Sequence, residues 1–184
     1  MDKNLEDDEG LNKAYVLISC NSGSDDYVIS NLKSIDTVKE VHGCFGAYDV
    51  IAKLESDSED KLKKSITQRI RKIPKILATL TLMTDNTNDF FGKNLSSDEK
   101  EVLDRHASQA YIAIDCKRTK EDQVLRDLSN IPEVIEGDIV IGSYDLMCKV
   151  AAPTYNDISD IVTKKIRRME NVKTTTTLNV IPNR

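Results

Sequence analysis

Residues 46–49 read Gly46-Ala47-Tyr48-Asp49, and residues 142–145, which lie 96 positions later, read Gly142-Ser143-Tyr144-Asp145. The same shift of 96 aligns residues 14–83 with residues 110–179 without a gap, and 20 of these 70 positions are identical. The chain is therefore an internal duplication in which both copies keep one glycine-led turn. Any function assigned to the chain has to explain why it carries two copies.

Each copy shows the pattern of four strands and two helices. In the first copy, the β-branched and aromatic run 14–18 predicts a strand, and apolar spacing predicts a helix over residues 24–35. Strands over 38–45 and 50–54 flank the Gly46 turn as a hairpin. A helical stripe ending before Pro74 and a strand over 76–82 complete the unit. The second copy repeats this order, so each repeat has the β-α-β-β-α-β order of a ferredoxin-like fold.

The strands are apolar on both faces. Residues 15–18, 50–52 and 76–78 are apolar at successive positions, whereas a sheet covered by helices on one side only would alternate apolar with polar. A unit of about 70 residues is also marginally stable by itself. The sequence therefore predicts an α+β fold in which two ferredoxin-like sheets pack face to face, as an intramolecular dimeric α/β-barrel.

These patterns divide the chain into four parts. We expect an acidic tail over residues 1–13, a first domain over 14–84, a linker over 85–109 and a second domain over 110–182. Ser96 and Glu99 have the spacing of a capping box and predict a short helix inside the linker. Phe90 and Phe91 are expected to anchor the linker to a domain.

Composition limits the class of protein. Of the 184 residues, 39% are hydrophobic and 31% are charged, and the formal net charge is −5. A negative net charge disfavours direct binding of nucleic acid, which needs a basic face. No apolar run of about 18 residues occurs, and the amino terminus does not resemble a signal peptide. We therefore expect a cytoplasmic protein without a direct nucleic-acid or membrane partner.

The cysteines and histidines leave two alternatives open. His42 and Cys44 share one face of a predicted strand, so a metal or redox sensor could use these two residues together with Cys20, Cys116, Cys148 or His106. A small dimeric-barrel enzyme is the second alternative, because fold alone does not exclude chemistry. Neither histidine is an identical position of the repeat, and no catalytic arrangement has persuasive spacing. We predict no metal, no cofactor and no enzymatic activity.

Four motifs, present twice in the same order, resemble the effector-binding (RAM) domain of the Lrp/AsnC family of transcription regulators. In the first copy they are residues 14–18, 35–41, 46–49 and 79–82. In the second copy they are residues 110–114, 131–136, 142–145 and 175–178. The resemblance covers both repeats, and with only 13 residues ahead of the first strand we expect the helix-turn-helix of a full-length regulator to be absent.

The resemblance implies a partner and an assembly. Domains of this family pair sheet to sheet as dimers, dimers assemble further, and small effectors, typically amino acids, bind where dimers meet. One chain here is then equivalent to one dimer. The implied function is that of an accessory protein of transcription regulation, which binds an amino-acid-like effector and oligomerises with itself or with full-length Lrp/AsnC regulators.

The resemblance also implies effector-binding residues at the two glycine-led turns, and threonines on the last strands are further candidates because their hydroxyls can satisfy a polar ligand without adding charge. They are Gly46, Tyr48, Asp49, Thr79, Thr81, Gly142, Tyr144, Asp145, Thr175 and Thr177. The alternative interpretation is structural: the glycines fit the hairpins, the tyrosines pack on neighbouring units, the aspartates cap their own backbone and the threonines simply favour strands. The last strand of the second copy is more polar than that of the first, which predicts two unequal clefts.

Overall fold

The computed structural model describes residues 11–84 and 90–182 of the chain. Most of the acidic tail expected over residues 1–13, and the part of the expected linker at 85–89, lie outside the described residues. Within the described residues, no helix is long and apolar enough to span a bilayer.

The element order of the repeat is present twice. The first repeat contains β1 (Asn12–Cys20), α1 (Asp25–Lys33), β2 (Val38–Gly46), β3 (Val50–Ser56), α2 (Glu59–Lys64) and β4 (Ile76–Thr84). The connecting segment adds β5 (Phe90–Gly92) and α3 (Ser97–His106). The second repeat contains β6 (Ser108–Cys116), α4 (Glu121–Ser129), β7 (Val134–Ile141), β8 (Leu146–Ala152), α5 (Tyr155–Ile161) and β9 (Val172–Val180).

The second helix of each repeat changes type along its length, which the sequence pattern does not predict. A π-helical turn follows α2 at Ser65–Arg69 and follows α5 at Val162–Ile166. In the first repeat a short 3-10 turn, Ile70–Lys72, ends the segment. The predicted apolar stripe is nevertheless buried at Leu62, Ile66, Ile70 and Ile73. An i, i+4 apolar spacing is compatible with both helix types, so the sequence indicates the buried face and not the width of the turn.

The two helices of the second repeat begin differently. Thr154 and Asp157 form a reciprocal capping box at the start of α5. Thr119 does not cap α4, because Lys120 occupies the N-cap position and Thr119 lies in the left-handed region with a φ of 66°. The threonine thus belongs to the preceding turn.

The strands of the two repeats close into one barrel. Their order is β4-β1-β3-β2-β9-β6-β8-β7, and β7 also pairs with β4. One seam joins β2 to β9 through Cys44 with Val180, Phe45 with Asn179 and Gly46 with Leu178. The other seam joins β4 to β7 through Met83 with Ile141 and Thr84 with Val140. The predicted intramolecular α/β-barrel is confirmed.

Burial on both faces explains the continuous apolar runs of the strands. Alternate residues of β1, such as Val16 and Ile18, pack under the helices of the first repeat, and Ile112 and Ile114 of β6 do so in the second. The intervening residues form a third core between the two sheets. That barrel core contains Tyr15, Leu17, Cys44, Ile51, Leu82, Tyr111, Ala113, Val140, Met147, Leu178 and Val180. Each sheet therefore buries its second face only because the other repeat covers it.

The connecting segment is held against the second repeat. Strand β5 pairs with β7, with Phe91 opposite Gly137. A Cβ atom at Gly137 would lie 2.6 Å from the Phe91 ring, so this close approach requires glycine. The equivalent residue of the first repeat is Val41. Helix α3 begins with the capping box of Ser96 and Glu99. Phe91 packs against the helix-side core of the second repeat, as an anchor would.

Candidate functional site

The two glycine-led turns meet at one end of the barrel. Tyr48 and Tyr144 are both half-buried against the barrel core. Burial raises the pKa of Tyr48, and the neighbouring Tyr144 raises it further. The predicted tyrosines from the two repeats are thus brought together, in what we call the hairpin end of the barrel.

Asp49 and Asp145 hold their turns. Oδ2 of Asp49 accepts a hydrogen bond from the backbone N–H of Cys20 at 2.9 Å, and Oδ2 of Asp145 accepts one from Cys116 at the same distance. Each carboxylate therefore ties the β-hairpin to the end of the first strand of its own repeat. These contacts are structural, but each carboxylate caps the first strand of its repeat and not, as the structural interpretation expected, its own backbone.

Gly46 and Gly142 sit in the seams between the repeats. Their φ angles are 137° and 146°, values that residues with side chains rarely adopt. A Cβ at Gly46 would lie 2.7 Å from the carbonyl oxygen of Thr177, and one at Gly142 would lie 3.1 Å from that of Thr81. Each turn therefore packs directly against the last strand of the other repeat.

The four predicted threonines lie on the other side of the sheets from the tyrosines. Thr81 is directly opposite Val16 in the β1–β4 register and Thr177 is opposite Ile112 in the β6–β9 register, so they face the helix side. Thr79 and Thr175 follow the same alternation. Arg167 donates from Nε to the hydroxyl of Thr175 at 2.7 Å. The predicted site residues therefore form two separate groups.

The hairpin end is not symmetric. The Tyr144 hydroxyl lies 3.1 Å from the hydroxyl oxygen of Thr176, whereas the residue equivalent to Thr176 in the first repeat is Leu80. Leu80 and Tyr48 both pack against the barrel core. The divergence of the last strands, visible in the sequence, thus places a polar group next to Tyr144 and an apolar residue at the equivalent position of the first repeat.

The opposite end of the barrel holds a buried polar cluster that the sequence analysis did not single out. Strand register places Tyr15 beside Lys53 and Lys53 beside Glu40 on the inner face, and it does the same in the second repeat. We call these residues, together with His42 and Asp138, the inner cluster. The three duplicated types are Tyr15 and Tyr111, Lys53 and Lys149, and Glu40 and Glu136, and all belong to the 20 identical positions. A lysine inside an apolar strand, kept in both copies, was the signal that could have revealed them.

Glu40 is the centre of the tighter half of the inner cluster. Its Oε1 accepts from Lys149 Nζ at 2.6 Å and from the Tyr111 hydroxyl at 2.8 Å, and it lies 2.7 Å from His42 Nε2. Burial alone would raise the pKa of Glu40, but the hydrogen bond to His42 and the Lys149 ammonium lower the pKa well below its usual range. The carboxylate is therefore ionised and tightly held.

The equivalent half around Glu136 is looser. Lys53 lies 3.5 Å from Glu136 Oε1, the longest of the ion-pair distances in the inner cluster. Tyr15 does not follow the pattern of Tyr111, because its hydroxyl donates to Asp138 at 2.5 Å. Burial opposes the charge on Lys53, yet Glu136 and Glu40 raise the pKa of this lysine. Asp138 occupies the position equivalent to His42, and it accepts from the Tyr15 hydroxyl, whereas the equivalent Tyr111 donates to Glu40.

Asp138 gives a pH-dependent prediction. Burial raises the pKa of Asp138 above its usual range, although Tyr15 and the lysines 13 and 53 oppose the shift. Because the folded pKa exceeds the unfolded one, ionisation of Asp138 costs stability as pH rises above about 4. We expect Asp138→Asn to gain stability relative to the wild type between pH 4 and pH 7, by about 1.4 kcal/mol per unit of pKa difference. Urea unfolding of both proteins across this range measures the difference, and a difference independent of pH would contradict the assignment.

The thiols do not form a metal-binding group. Cys20, Cys44, Cys116 and Cys148 are free and buried. Burial raises the pKa of Cys44 and of Cys116 to about 12, so both are protonated thiols at neutral pH. Among residues 11–84 and 90–182 no cluster of three or more His, Cys, Asp or Glu side chains could hold a metal ion.

Two sheets of the same α+β topology, closed into one barrel with a matched turn from each, define a pseudo-dimeric α/β-barrel. A family model for the Lrp/AsnC ligand binding domain matches residues 13–86 and again residues 109–183. The chain therefore belongs to the Lrp/AsnC family and carries its ligand-binding domain in tandem.

Individual proteins are similar to parts of this chain. An uncharacterized HTH-type transcriptional regulator of Pyrococcus horikoshii is 29% identical over 68 residues, which are 37% of this chain and 43% of that protein. This chain thus spans less than half the length of the curated regulators that it matches. The crystal structure of a hypothetical protein from Pyrococcus horikoshii is similar with 34% sequence identity and a TM-score of 0.39. The matched region covers 40% of this chain and 89% of that protein's chain.

The barrel as a whole is also found in an enzyme. The structure of the siroheme decarboxylase NirDL is similar to this one, with a TM-score of 0.65 and 11% sequence identity. The matched region covers 94% of this chain and 72% of the NirDL chain. A likeness at this identity shows the shared fold alone.

Proposed function

We propose that the chain is a regulatory module, and not an enzyme, which binds a small amino-acid-like effector and acts on transcription by associating with itself or with DNA-binding members of its family. The observation that carries this proposal is the pair of family ligand-binding units that close into one barrel. The curated relatives are described as HTH-type regulators, and such proteins are the partners through which an effector signal could reach DNA.

The hairpin end is the proposed effector site. Tyr48 and Tyr144 offer two hydroxyl groups in a half-buried setting, and the neighbouring turns expose backbone amides able to hold a carboxylate. Asp49 and Asp145 place carboxylates beside these turns, where an α-ammonium group could be accepted. The four threonines face the helix side of the sheets, so this hairpin-end site does not include them. Thr176 gives the Tyr144 side the greater hydrogen-bonding capacity, so we expect unequal affinities.

A panel of amino acids in a thermal-shift assay tests the effector. A ligand present at about 100 times its Kd adds about 2.7 kcal/mol, which for a chain of this size raises Tm by about 5–10 °C. Tyr48→Ala and Tyr144→Ala are expected to weaken the response at least tenfold, which corresponds to about 1.4 kcal/mol. Tyr27→Ala, which removes an exposed tyrosine of α1, is the matched control and should leave the response unchanged.

The same samples test the regulatory role. Gel filtration of the chain mixed with a full-length HTH-type relative should give a mixed complex whose amount changes with the stabilising amino acid. Absence of any stabilising amino acid, together with separate elution of the two proteins, would refute the proposed function.

A further inference from the structure

A pocket of about 450 Å³ lies over the inner cluster, at the end of the barrel away from the hairpins. Its walls come from β2, β7 and β8, and its roof comes from the connecting segment. The residues that matter for its chemistry are Glu40, His42, Glu136 and Lys149 on the walls, and Lys100 and Leu103 on the roof. The pocket shares none of its lining residues with the glycine-led turns.

The charges of the pocket wall are not equally compensated. The Glu40 side chain is 27% exposed. Its Oε1 lies within 2.8 Å of Lys149 Nζ, His42 Nε2 and the Tyr111 hydroxyl oxygen. Glu136 is similarly exposed, at 25%, but its ion-pair partner Lys53 is 3.5 Å away. The tyrosine that would complete the pattern, Tyr15, donates to Asp138. The wall therefore presents one well-neutralised carboxylate and one weakly neutralised carboxylate.

The cations around the pocket also leave Glu136 as the weakly neutralised carboxylate. Lys149 is engaged by Glu40, and Lys93 donates to the backbone carbonyls of Ile131 and Pro132 at 2.9 and 2.8 Å. Lys39, which also lines the pocket, donates to the backbone carbonyl of Asp36 at 3.2 Å, so each of these three lysines has an acceptor other than Glu136. Lys100, an exposed residue of α3, lines the roof of the pocket. An ammonium group inside, with any carboxylate directed outward toward Lys100, would complement this distribution.

We propose that this pocket binds a small aliphatic ligand with a primary ammonium group, and that Glu136 accepts that group. The site is distinct from the hairpin end, and Glu136 has room for the ligand because Tyr15 donates to Asp138 and not to Glu136. In this proposal the half of the inner cluster around Glu40 is fully paired within the protein, and the half around Glu136 accepts the ligand.

Calorimetry with three probes tests the proposal: 1,4-diaminobutane, L-lysine and glutarate, each titrated into the full chain. We expect at least one ammonium probe to bind, and glutarate, which has no ammonium group, not to bind. Binding of the diamine alone identifies an amine site, and binding of lysine alone identifies a zwitterion site. Glu136→Gln, which keeps the shape and removes the charge, should weaken binding about tenfold to a hundredfold.

Two further variants separate this site from the hairpin end. Leu103→Trp fills the pocket from its roof and should abolish binding, which gives an independent test if Glu136→Gln folds poorly. Tyr48→Ala should leave binding unchanged, even though it is expected to weaken the effector response at the hairpin end. The proposal is overturned if no ammonium probe binds, or if folded Glu136→Gln and Leu103→Trp proteins bind it as the wild type does.

Discussion

Replacing Glu40 by alanine is expected to lower the free energy of unfolding by about 3 kcal/mol, the lower end of the range for breaking a buried ion pair. The loss arises because Lys149 and Tyr111 are almost fully buried. Without the Glu40 carboxylate, the ammonium of Lys149 and the hydroxyl of Tyr111 would lose the acceptor to which they donate. For a chain of this length the change corresponds to a fall in Tm of about 6–12 °C. Urea unfolding monitored by circular dichroism measures it.

The duplication supplies the control for this prediction. Glu136→Ala removes the same side chain at the equivalent position, yet its ion pair with Lys53 is long and no tyrosine donates to it. We expect a cost of about 1 kcal/mol or less, as for a partly exposed ion pair. Equal costs for the two alanine variants would show that the halves of the inner cluster are energetically alike, against the distances.

Gly46→Ala is the second substitution with a large expected effect. A φ of 137° strains any residue with a side chain by about 1–3 kcal/mol, and the new Cβ would lie 2.7 Å from the carbonyl oxygen of Thr177. Because that oxygen belongs to the partner strand of the β2–β9 seam, relief requires the two repeats to move apart. We expect a total loss of about 3 kcal/mol, measured by urea unfolding, together with faster amide exchange along the seam.

Two other glycines calibrate the result. A Cβ added at Gly92 would have no heavy atom within 4 Å, and Gly92 has no positive φ, so Gly92→Ala should change stability by less than about 0.5 kcal/mol. Gly142→Ala should fall between the two, since its nearest contact is the flexible end of Leu82. A Gly46→Ala protein as stable as Gly92→Ala would mean that the seam does not hold the repeats together.

The element order and the barrel follow from the sequence because both depend on local patterns. Apolar spacing identifies the strands and the buried stripe of α2, and the two-faced strands of 15–18 and 50–52 require a second sheet. The conversion of that stripe into a π-helical turn was missed, since residues four apart share a face in either helix type. The docking of Phe91 on Gly137 was missed for a similar reason, because it is a contact between segments distant in sequence.

The two ends of the barrel differ in how far the sequence predicts them. The glycine-led turns were found from their repetition, and the structure then placed Tyr48 and Tyr144 together while directing the threonines to the other side of the sheets. The inner cluster was missed although its tyrosines, lysines and glutamates are all duplicated identities. Individually these residues look like ordinary strand positions. They form a cluster only because strands of the two repeats face each other across the barrel.

The sequence by itself determined the duplication, the β-α-β-β-α-β order and the need for each sheet to cover the other, since these features depend on spacing along the chain and on the apolar area that a repeat of this size must bury. Only the tertiary structure decided that Glu40 pairs with Lys149 of the other repeat, and that Tyr15 turns to Asp138 and leaves Glu136 weakly compensated. These pairings depend on distances between side chains across the barrel. The sequence pattern treats the two copies as equivalent and therefore contains no information about those distances.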